Sequence, residues 1–284
     1  TKAEVTGFCR EILREHRSVT LEEKLEGEEF SLQCFCDGRS VVATPPVQDH
    51  KRRFPDDRGP NTGGMGSYSC ADHSLPFMDA GNIEAGLQIT RRVAEAIHRE
   101  TGRLYKGIMY GGFMITADGV KLLEYNARLG DPEAMNVLPL LRTDFVEICL
   151  AVIEGTLEKM SVSFERKATV CKYVVPRGYG LPKDHPDTGS TSARIEIGPV
   201  GEARLYYSSV DKRDDGLYMT TSRAMAVVGI ADAMEEAERI AEKAAAAIRG
   251  PVDHRPDIGT ASLMEKRIRH MRDIRLRENP EGRI

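Results

Sequence analysis

Two β-hairpins constrain this chain more than any other feature of its sequence. Residues 30–36 alternate apolar and polar side chains, and Asp37-Gly38 follows directly before Val41 and Val42. Because successive side chains of a strand point to opposite faces, this pattern predicts a half-buried hairpin with a tight turn. The segments at about 107–115 and 120–126, on either side of Ala117-Asp118-Gly119, predict a second hairpin.

Helical periodicity flanks these strands. Apolar residues recur at helical spacing between Ala3 and Arg17, which predicts a surface helix with one buried stripe. Helices are also predicted from about Ile83 to Arg99, closed by Gly102, and from Thr143 to Glu154, ending at Gly155. Residues 19–25 are interpreted as a further strand. The fold class is therefore α+β.

The pattern of predicted elements changes near residues 156–166, where we expect a domain boundary. Beyond it, a helix opens at Asp232 with Glu235 and stops at Gly250-Pro251. Before that helix, strand-like segments are separated by Gly, Pro and Asp; they lie at 168–175, 193–197, 204–209 and 224–230. The expected division is residues 1–160, a small α+β domain at 161–260, and a terminal surface helix within 261–284.

Composition excludes several classes of function. The 284 residues carry a net charge of −4, with 30% charged and 40% hydrophobic residues, which argues against disorder and against a polyanion-binding surface. The six cysteines lack the paired spacing of a zinc site, and no apolar run approaches the roughly 20 residues that span a bilayer. We expect a cytoplasmic protein with reduced thiols and no nucleic-acid or membrane partner.

The segment from Leu122 to Glu133 carries the clearest chemical pattern. Alternation on a strand places Glu124, Asn126 and Arg128 on one face. A carboxylate and an amide oxygen two residues apart suit Mg²⁺, which prefers oxygen ligands and takes the rest from water and phosphate. The arginine could hold a phosphate or an acyl phosphate. The alternative is an edge strand with a solvated polar face.

Residues 45–69 contain prolines, glycines and charges without periodicity, and we interpret them as one long loop. Within it, Gln48 to Arg53 precede the glycine-rich stretch Gly59 to Gly66. Glycines allow backbone N–H groups to converge on an anion, and Lys51, Arg52 and Arg53 would add positive charge. No Gly-Lys-Ser/Thr follows, so this is not a Walker motif, and the alternative is an ordinary turn. The acidic stretch at 21–29 reads by composition as a solvated connection.

Three strings in the chain resemble the glycinamide ribonucleotide synthetase family of the ATP-grasp superfamily. They are EYNARLGDPE, QDHKR followed by GPNTGGMG, and HRPDIG, in which Pro256 stands where lysine is common. The resemblance implies an ATP-grasp fold, with an antiparallel sheet and flanking helices, followed by a small α+β carboxyl-terminal domain. It also implies ATP-dependent ligation of glycine to 5-phosphoribosylamine through glycyl phosphate, as a step of purine biosynthesis.

The resemblance also implies roles for individual residues. Glu124 and Asn126 would bind Mg²⁺ or Mn²⁺, and Arg128 would stabilise the acyl phosphate. ATP would be bound by Glu22, Glu23, Leu25 and Glu29, the last of these at the ribose. Substrates would be bound by Asp49, His50, Lys51, Asn61, Thr62, Gly63, Gly64, Met65, Gly66 and Arg255.

The resemblance begins in the middle of the family pattern. We therefore expect an amino-terminal domain and a phosphate-covering flap upstream of Thr1, either missing or supplied as a separate chain, and no turnover by this chain alone. Two alternatives remain open: another ATP-grasp carboxylate–amine ligase, and a non-catalytic nucleotide-binding subunit.

Overall fold

The computed structural model describes residues 2–182, 184–190 and 192–278. Its helices are α1 (Lys2–Glu15), α2 (Asn82–Thr101), α3 (Ala134–Val137), α4 (Phe145–Glu154), α5 (Met234–Ala246) and α6 (Ala261–Glu278). Its strands are β1 (Glu28–Cys36), β2 (Val41–Ala43), β3 (Gln48–Asp49), β4 (Arg52–Phe54), β5 (Arg58–Asn61), β6 (Gly66–Ser69), β7 (Gly107–Thr116), β8 (Gly119–Asn126), β9 (Ala168–Pro176), β10 (Arg194–Ile197), β11 (Arg204–Tyr207), β12 (Val210–Arg213), β13 (Gly216–Met219), β14 (Met225–Ala231), β15 (Ile248–Arg249) and β16 (Val252–Asp253).

The first sheet contains both predicted hairpins. Its order is β2-β1-β7-β8, and β1 pairs antiparallel with β7 from Glu28 opposite Ile115 to Cys36 opposite Gly107. In the first turn, Oδ1 of Asp37 accepts the backbone N–H groups of Arg39 and Ser40, at 2.9 and 2.7 Å. That turn is the Asx type expected of aspartate in a tight connection. Both hairpin predictions are confirmed.

Helix α2 seals one face of this sheet. The rings of Phe30 and Phe113 stack with centroids 5.3 Å apart, and Phe113 meets Tyr125 edge to face. The Tyr125 hydroxyl donates to Oγ1 of Thr90 on α2 at 2.9 Å. Gly102 ends the helix in the left-handed conformation, as its sequence position predicted. With one face closed by apolar packing, the polar residues of β1, β7 and β8 share the other.

A second sheet joins the two halves of the chain. Its order is β11-β14-β9-β6-β3, and β16 also pairs with β9. All nine residues of β9 are buried. The prediction of one structureless loop at 45–69 was wrong, because this segment contains β3 to β6. These strands have two to four residues each, too few for periodicity to show. The proposed domain division stays a prediction, although the sheet takes strands from both sides of residue 160.

Two other local predictions were wrong. Residues 19–25 form no strand, since the chain first joins the sheet at Glu28. Helix α1 exists, but its apolar stripe is not buried: Phe8 is 64% exposed and Val5 49%. Periodicity predicts an apolar face but not what covers it.

The later helices were predicted to within a few residues, whereas β12, β13, β15 and β16 were missed as too short. Of the predicted terminal segment, residues 279–284 lie outside the described part of the chain, as does Thr1. In the described ranges, no helix is both long and apolar enough to cross a membrane.

A buried ion cluster fixes α5 to the second sheet. Lys172 on β9 is completely buried, and its Nζ lies 2.6 Å from carboxylate oxygens of both Glu238 and Glu242. It also donates to the carbonyl of Pro256 at 2.7 Å. His254 contacts the other Glu242 oxygen at 3.0 Å. The cluster therefore holds α5 and the segment before α6 in one place.

This cluster predicts a loss of stability in acid. Burial alone would raise the pKa of Glu242, but hydrogen bonds from His254 and Lys172 lower it from 4.5 to about 2. A depressed carboxyl pKa stabilises the fold above the unfolded value, and this contribution is lost as pH falls from 4.5 towards 2. Glu242→Gln should lower the free energy of unfolding at neutral pH by about 1–2 kcal/mol and flatten this acid dependence, as measured by urea unfolding. Glu235→Gln, at an exposed position of α5, is the control and should change neither.

Candidate functional site

The polar face of the first sheet brings three strands together in register. Ser31 pairs with Gly112, which pairs with Glu124; one step along, Gln33 pairs with Tyr110, which pairs with Asn126. Nδ2 of Asn126 lies 3.3 Å from Oε1 of Glu124, so these two side chains share a face as the alternation predicted. Arg128 lies beyond the end of β8, where it is exposed and donates to the carbonyl of Leu129 at 2.9 Å.

A lysine stands over this face among carboxylates. Nζ of Lys51 lies 2.9 Å from Oε2 of Glu29. Burial alone would lower the pKa of Lys51, but the carboxylates of Glu29, Asp49 and Glu124 outweigh it and raise that pKa. The ammonium therefore remains charged. Predicted ATP, substrate and metal residues, from three separate stretches of sequence, thus meet around one cation.

Two carboxyl groups lie beside the lysine: Glu133 is 2% exposed, and Asp49 is partly exposed with its Oδ1 buried. Burial, and then the charge of Glu133, raise the pKa of Asp49 well above its ordinary value. Burial likewise raises the pKa of Glu133, whose Oε1 accepts the Tyr110 hydroxyl at 2.6 Å. Oδ1 of Asp49 is buried with no hydrogen-bond partner among the described residues. Burial thus disfavours the charged form of both carboxyl groups, and an unpaired buried oxygen favours a ligand that can donate a hydrogen bond.

An arginine from the carboxyl-terminal half of the chain contacts both the glycine-rich loop and the turn at Asp131. Arg223, just before β14, donates to the carbonyl of Gly63 at 2.7 Å and to Oδ2 of Asp131 at 2.9 Å. Its guanidinium lies 4.4 Å from the ring centroid of Tyr173, whose hydroxyl donates to Oδ1 of Asp131 at 2.6 Å. Sequence reasoning missed Arg223, Tyr173 and Glu133, because only the second sheet brings Arg223 to residues 63 and 131, and no local pattern marks it.

The N–H groups of residues 62–65 in the glycine-rich loop are already used in hydrogen bonds, so the anion nest that we expected stays a prediction. These N–H groups donate within the protein: Thr62 to Lys51 O at 2.7 Å and Met65 to His50 O at 2.8 Å. Gly63 donates to the Tyr179 hydroxyl and Gly64 to Oγ1 of Thr62, both at 3.2 Å. Glycine spacing alone cannot distinguish a nest from a hydrogen-bonded turn.

The glycines serve close packing. Gly64 has φ +109°, and a Cβ there would lie 2.8 Å from Oδ1 of Asp49 and 2.9 Å from Cδ of Pro132. At Gly66, with φ +147°, a Cβ would lie 2.2 Å from the carbonyl oxygen of Cys171. The loop therefore fits tightly between the acidic pair and β9, which only residues without a side chain permit.

Several predicted substrate residues are buried away from the polar face. His50 is 1% exposed with both ring nitrogens unpartnered in the described structure, and burial beside Arg267 and Arg255 lowers its pKa to about 3. Arg255 is fully buried and paired with Asp57 and Asp257. Met65 is also fully buried. Their roles as substrate ligands stay predictions; the geometry gives them structural contacts.

The three consecutive basic residues, which were predicted to place positive charge together, have different partners in the structure. Arg53 is buried and donates to the carbonyls of Tyr179 and Arg177, and it pairs with Asp253 at 2.8 Å. Arg52 donates to the carbonyl of Gly59. Of the three, Lys51 alone is described with a contact to the acidic groups of the site. The strand alternation of β4 turns Arg53 inward.

Two cavities follow one another along residues 23–29. One, of about 230 Å³, is lined in part by Glu23 and Leu25. The other, of about 250 Å³, is lined by the predicted residues Glu29, Asp49, His50, Lys51 and Asn61, with others. Glu22 is exposed and lines neither. Because their lining residues are consecutive along this stretch, we call the two cavities together the groove.

The protein oxygens on this face are too few to coordinate a metal ion unless a bound ligand or water supplies further oxygens. Within the described ranges, no cluster of three or more His, Cys, Asp or Glu side chains could hold a metal ion. Glu124 and Asn126 provide one carboxylate and one amide. That donor set fits Mg²⁺, which commonly keeps water and takes phosphate oxygens as further ligands.

Solved structures share this fold, and a family profile identifies residues 2–134 as an ATP-grasp domain. The biotin carboxylase domain of Hydrogenobacter thermophilus 2-oxoglutarate carboxylase, crystallised with MgADP and bicarbonate, has the same fold with a TM-score of 0.61 at 14% identity, over 98% of this chain and 59% of that one. Two family profiles are more specific: phosphoribosylglycinamide synthetase ATP-grasp (A) domain matches residues 2–134, and phosphoribosylglycinamide synthetase C domain matches residues 169–261. The chain belongs to the phosphoribosylglycinamide synthetase family.

Individual relatives agree with that assignment. A phosphoribosylamine–glycine ligase of Methanosarcina acetivorans is 51% identical over 93% of this chain, and that of Methanocaldococcus jannaschii is 51% identical over 90%. The crystal structure of the Thermotoga maritima ligase aligns with a TM-score of 0.72 at 30% identity, over 83% of this chain and 56% of that one. The chain spans 58% of the length of the Methanosarcina relative and 57% of the Methanocaldococcus one.

The raised pKa of Asp49 predicts that its carboxylate lowers the stability of the fold at neutral pH. A carboxyl whose folded pKa is raised contributes stability that is present below its unfolded pKa of 3.8 and is lost as pH rises towards the folded value. At neutral pH, Asp49→Asn should therefore have a free energy of unfolding about 1 kcal/mol higher than that of the wild type. The pH dependence of its stability above 3.8 should also be flatter. Denaturant unfolding from about pH 4 to about pH 8 measures this. An Asp49→Asn chain that is less stable throughout would show that the carboxylate is fully compensated by Lys51 and Arg223.

Proposed function

We propose that this chain forms the ATP- and substrate-binding part of an enzyme that ligates glycine to 5-phosphoribosylamine. The products are glycinamide ribonucleotide, ADP and phosphate, a step of de novo purine biosynthesis. The observation that carries the proposal is the meeting of Glu124, Asn126, Lys51, Asp49 and Glu133 on one polar face, in a chain of this family. Such a face combines groups for a metal-bound polyphosphate with groups for an amine.

The nucleotide would occupy the groove along residues 23–29. Backbone groups between Glu22 and Leu25 would recognise the adenine, with Glu23 and Leu25 in the wall of the first cavity. Glu29 would accept hydrogen bonds from the ribose hydroxyls. Because Glu29 now pairs with Lys51, ribose binding would release the ammonium towards the phosphates.

Glu124 and Asn126 would hold Mg²⁺, or Mn²⁺, against the ATP phosphates. When bound, the metal supplies charge neutralisation between two anionic reactants. Lys51 would add a second positive charge from across the face. Arg128 is exposed beside the turn that carries Glu133, and would stabilise the negative charge of the acyl phosphate.

The proposed reaction has two displacements. An oxygen of the glycine carboxylate attacks the γ-phosphorus of ATP, the bond to the β-phosphate oxygen breaks, and glycyl phosphate and ADP form. The amine of phosphoribosylamine then attacks the acyl carbon, phosphate leaves, and the amine loses a proton. No enzyme nucleophile is needed, so positioning and charge account for the catalysis.

The acidic pair would serve the amino groups in this scheme. Both glycine and phosphoribosylamine carry one, and Asp49 offers an unpaired buried oxygen. With its pKa raised, Asp49 is suited to accept the proton that the attacking amine loses. Arg223 would keep the turn at Asp131 and the loop at Gly63 at a fixed distance from this oxygen.

Metal-dependent nucleotide binding tests the oxygen pair. Glu124→Gln should weaken binding of ATP in the presence of Mg²⁺ by roughly 10- to 100-fold, because a charged ligand becomes neutral. Binding of ATP without divalent metal should change little or improve. Glu147→Gln, at an exposed position of α4, is the matched control. Equal weakening with and without metal would place Glu124 outside the metal site.

Phosphate release tests the reaction itself. The chain, alone and supplemented with the amino-terminal segment of a curated relative, is assayed with ATP, Mg²⁺, glycine and phosphoribosylamine. We expect release that requires both glycine and phosphoribosylamine, and only in the supplemented reaction. Release that ignores glycine would refute this ligation and favour another ATP-grasp activity, whereas nucleotide binding without release in either reaction would favour a non-catalytic subunit.

A further inference from the structure

The cavity beside Leu25 has a wall that the sequence did not predict. The linker residues 23–26 form one side, and the β7–β8 hairpin forms a second side with Thr116, Ala117, Asp118 and Lys121. Ile274 and Arg277 of α6 form the third. From its sequence, α6 was expected to be a surface helix without a binding role.

The position of α6 is fixed by its own packing. Met271 and Ile274 are 0% and 5% exposed, and both belong to the core that contains Phe30 and Ile115. Nη2 of Arg275 pairs with Asp79 at 2.8 Å on the other side of the helix. Arg277 pairs with Glu26 at 2.9 Å, but both side chains are about two thirds exposed, so this pair adds little. The helix is therefore a firm wall and not a loosely attached segment.

The size and lining of the cavity suit one heterocyclic ring. Its volume of about 230 Å³ is below the roughly 300–1,000 Å³ of clefts that hold a whole drug-sized ligand. Leu25, Ala117 and Ile274 offer apolar contact, while the linker backbone offers donors and acceptors for a base edge. The neighbouring cavity, with Glu29 and Lys51, has room and charge for a sugar and phosphates.

We infer that α6 closes the base pocket of the nucleotide site, with the side chain of Ile274 packing against the adenine. The inference rests on the proposed function, since it assigns this groove to ATP. It adds a binding determinant about 250 residues along the chain from the linker. The last helix of the chain then contributes directly to nucleotide affinity.

Calorimetric titration of the chain with ATP and Mg²⁺ tests this, at a temperature well below the melting of every variant. Ile274→Ala should weaken ATP binding about tenfold, and Ile274→Val only about twofold, because the buried apolar contact shrinks by steps. Met271→Ala is the matched control: it removes a buried side chain one turn earlier on the same helix, but Met271 does not line the cavity. Its ATP affinity should stay within about twofold of the wild type.

The possible results distinguish the role of α6 from the ATP binding on which that role depends. If the wild type binds ATP and Ile274→Ala binds it equally well, α6 is not a wall of the base pocket and the inference is overturned. Equal losses in Met271→Ala and Ile274→Ala would overturn it too, by tracing the effect to helix packing. If the wild type binds no ATP, the proposed function fails and the inference fails with it.

Discussion

The pairing of β1 with β7 is the constraint on which the rest of the structure depends. Nine residue pairs in antiparallel register fix which side chains point to which face. A slip by one residue would exchange the faces, sending Phe30 and Leu32 into the site and Ser31 and Gln33 into the core. Burial of the apolar face under α2 makes such a slip costly. The chemical face is thus defined by the hydrophobic one.

The second sheet determines which residues lie next to the polar face of the first sheet. Pairing of β6 with β9 carries the glycine-rich loop to the carboxyl-terminal half, and Lys172 at the centre of β9 holds α5 and residues 254–257 against it. Arg223, at the start of the neighbouring strand, then reaches the loop and the turn at Asp131. The carboxyl-terminal half therefore shapes the site while most predicted ligands belong to the other half.

Charge compensation explains why so many ionisable groups can lie together. Lys51 and Arg223 lie among Glu29, Asp49, Glu124 and Glu133, so two cations compensate four carboxyl groups. Burial raises the pKa values of Asp49 and Glu133, and the charge of Glu133 adds to the effect on Asp49. A site with buried carboxyl groups and an unpaired oxygen is prepared for ligands that donate hydrogen bonds, and it lowers the stability of the unliganded fold.

The sequence by itself determined the local elements and the shared face of Glu124 and Asn126, because strand alternation and helix periodicity are properties of neighbouring residues. It also identified the family through short strings of residues. It could not show that β3 to β6 pair with β9, that the loop N–H groups are already used, or that α1 leaves its apolar stripe exposed. Arg223 reaches the glycine-rich loop, and Ile274 reaches the cavity beside Leu25, both from positions far along the chain. Only tertiary packing decides such contacts, since no short-range pattern encodes which distant surface a side chain will meet.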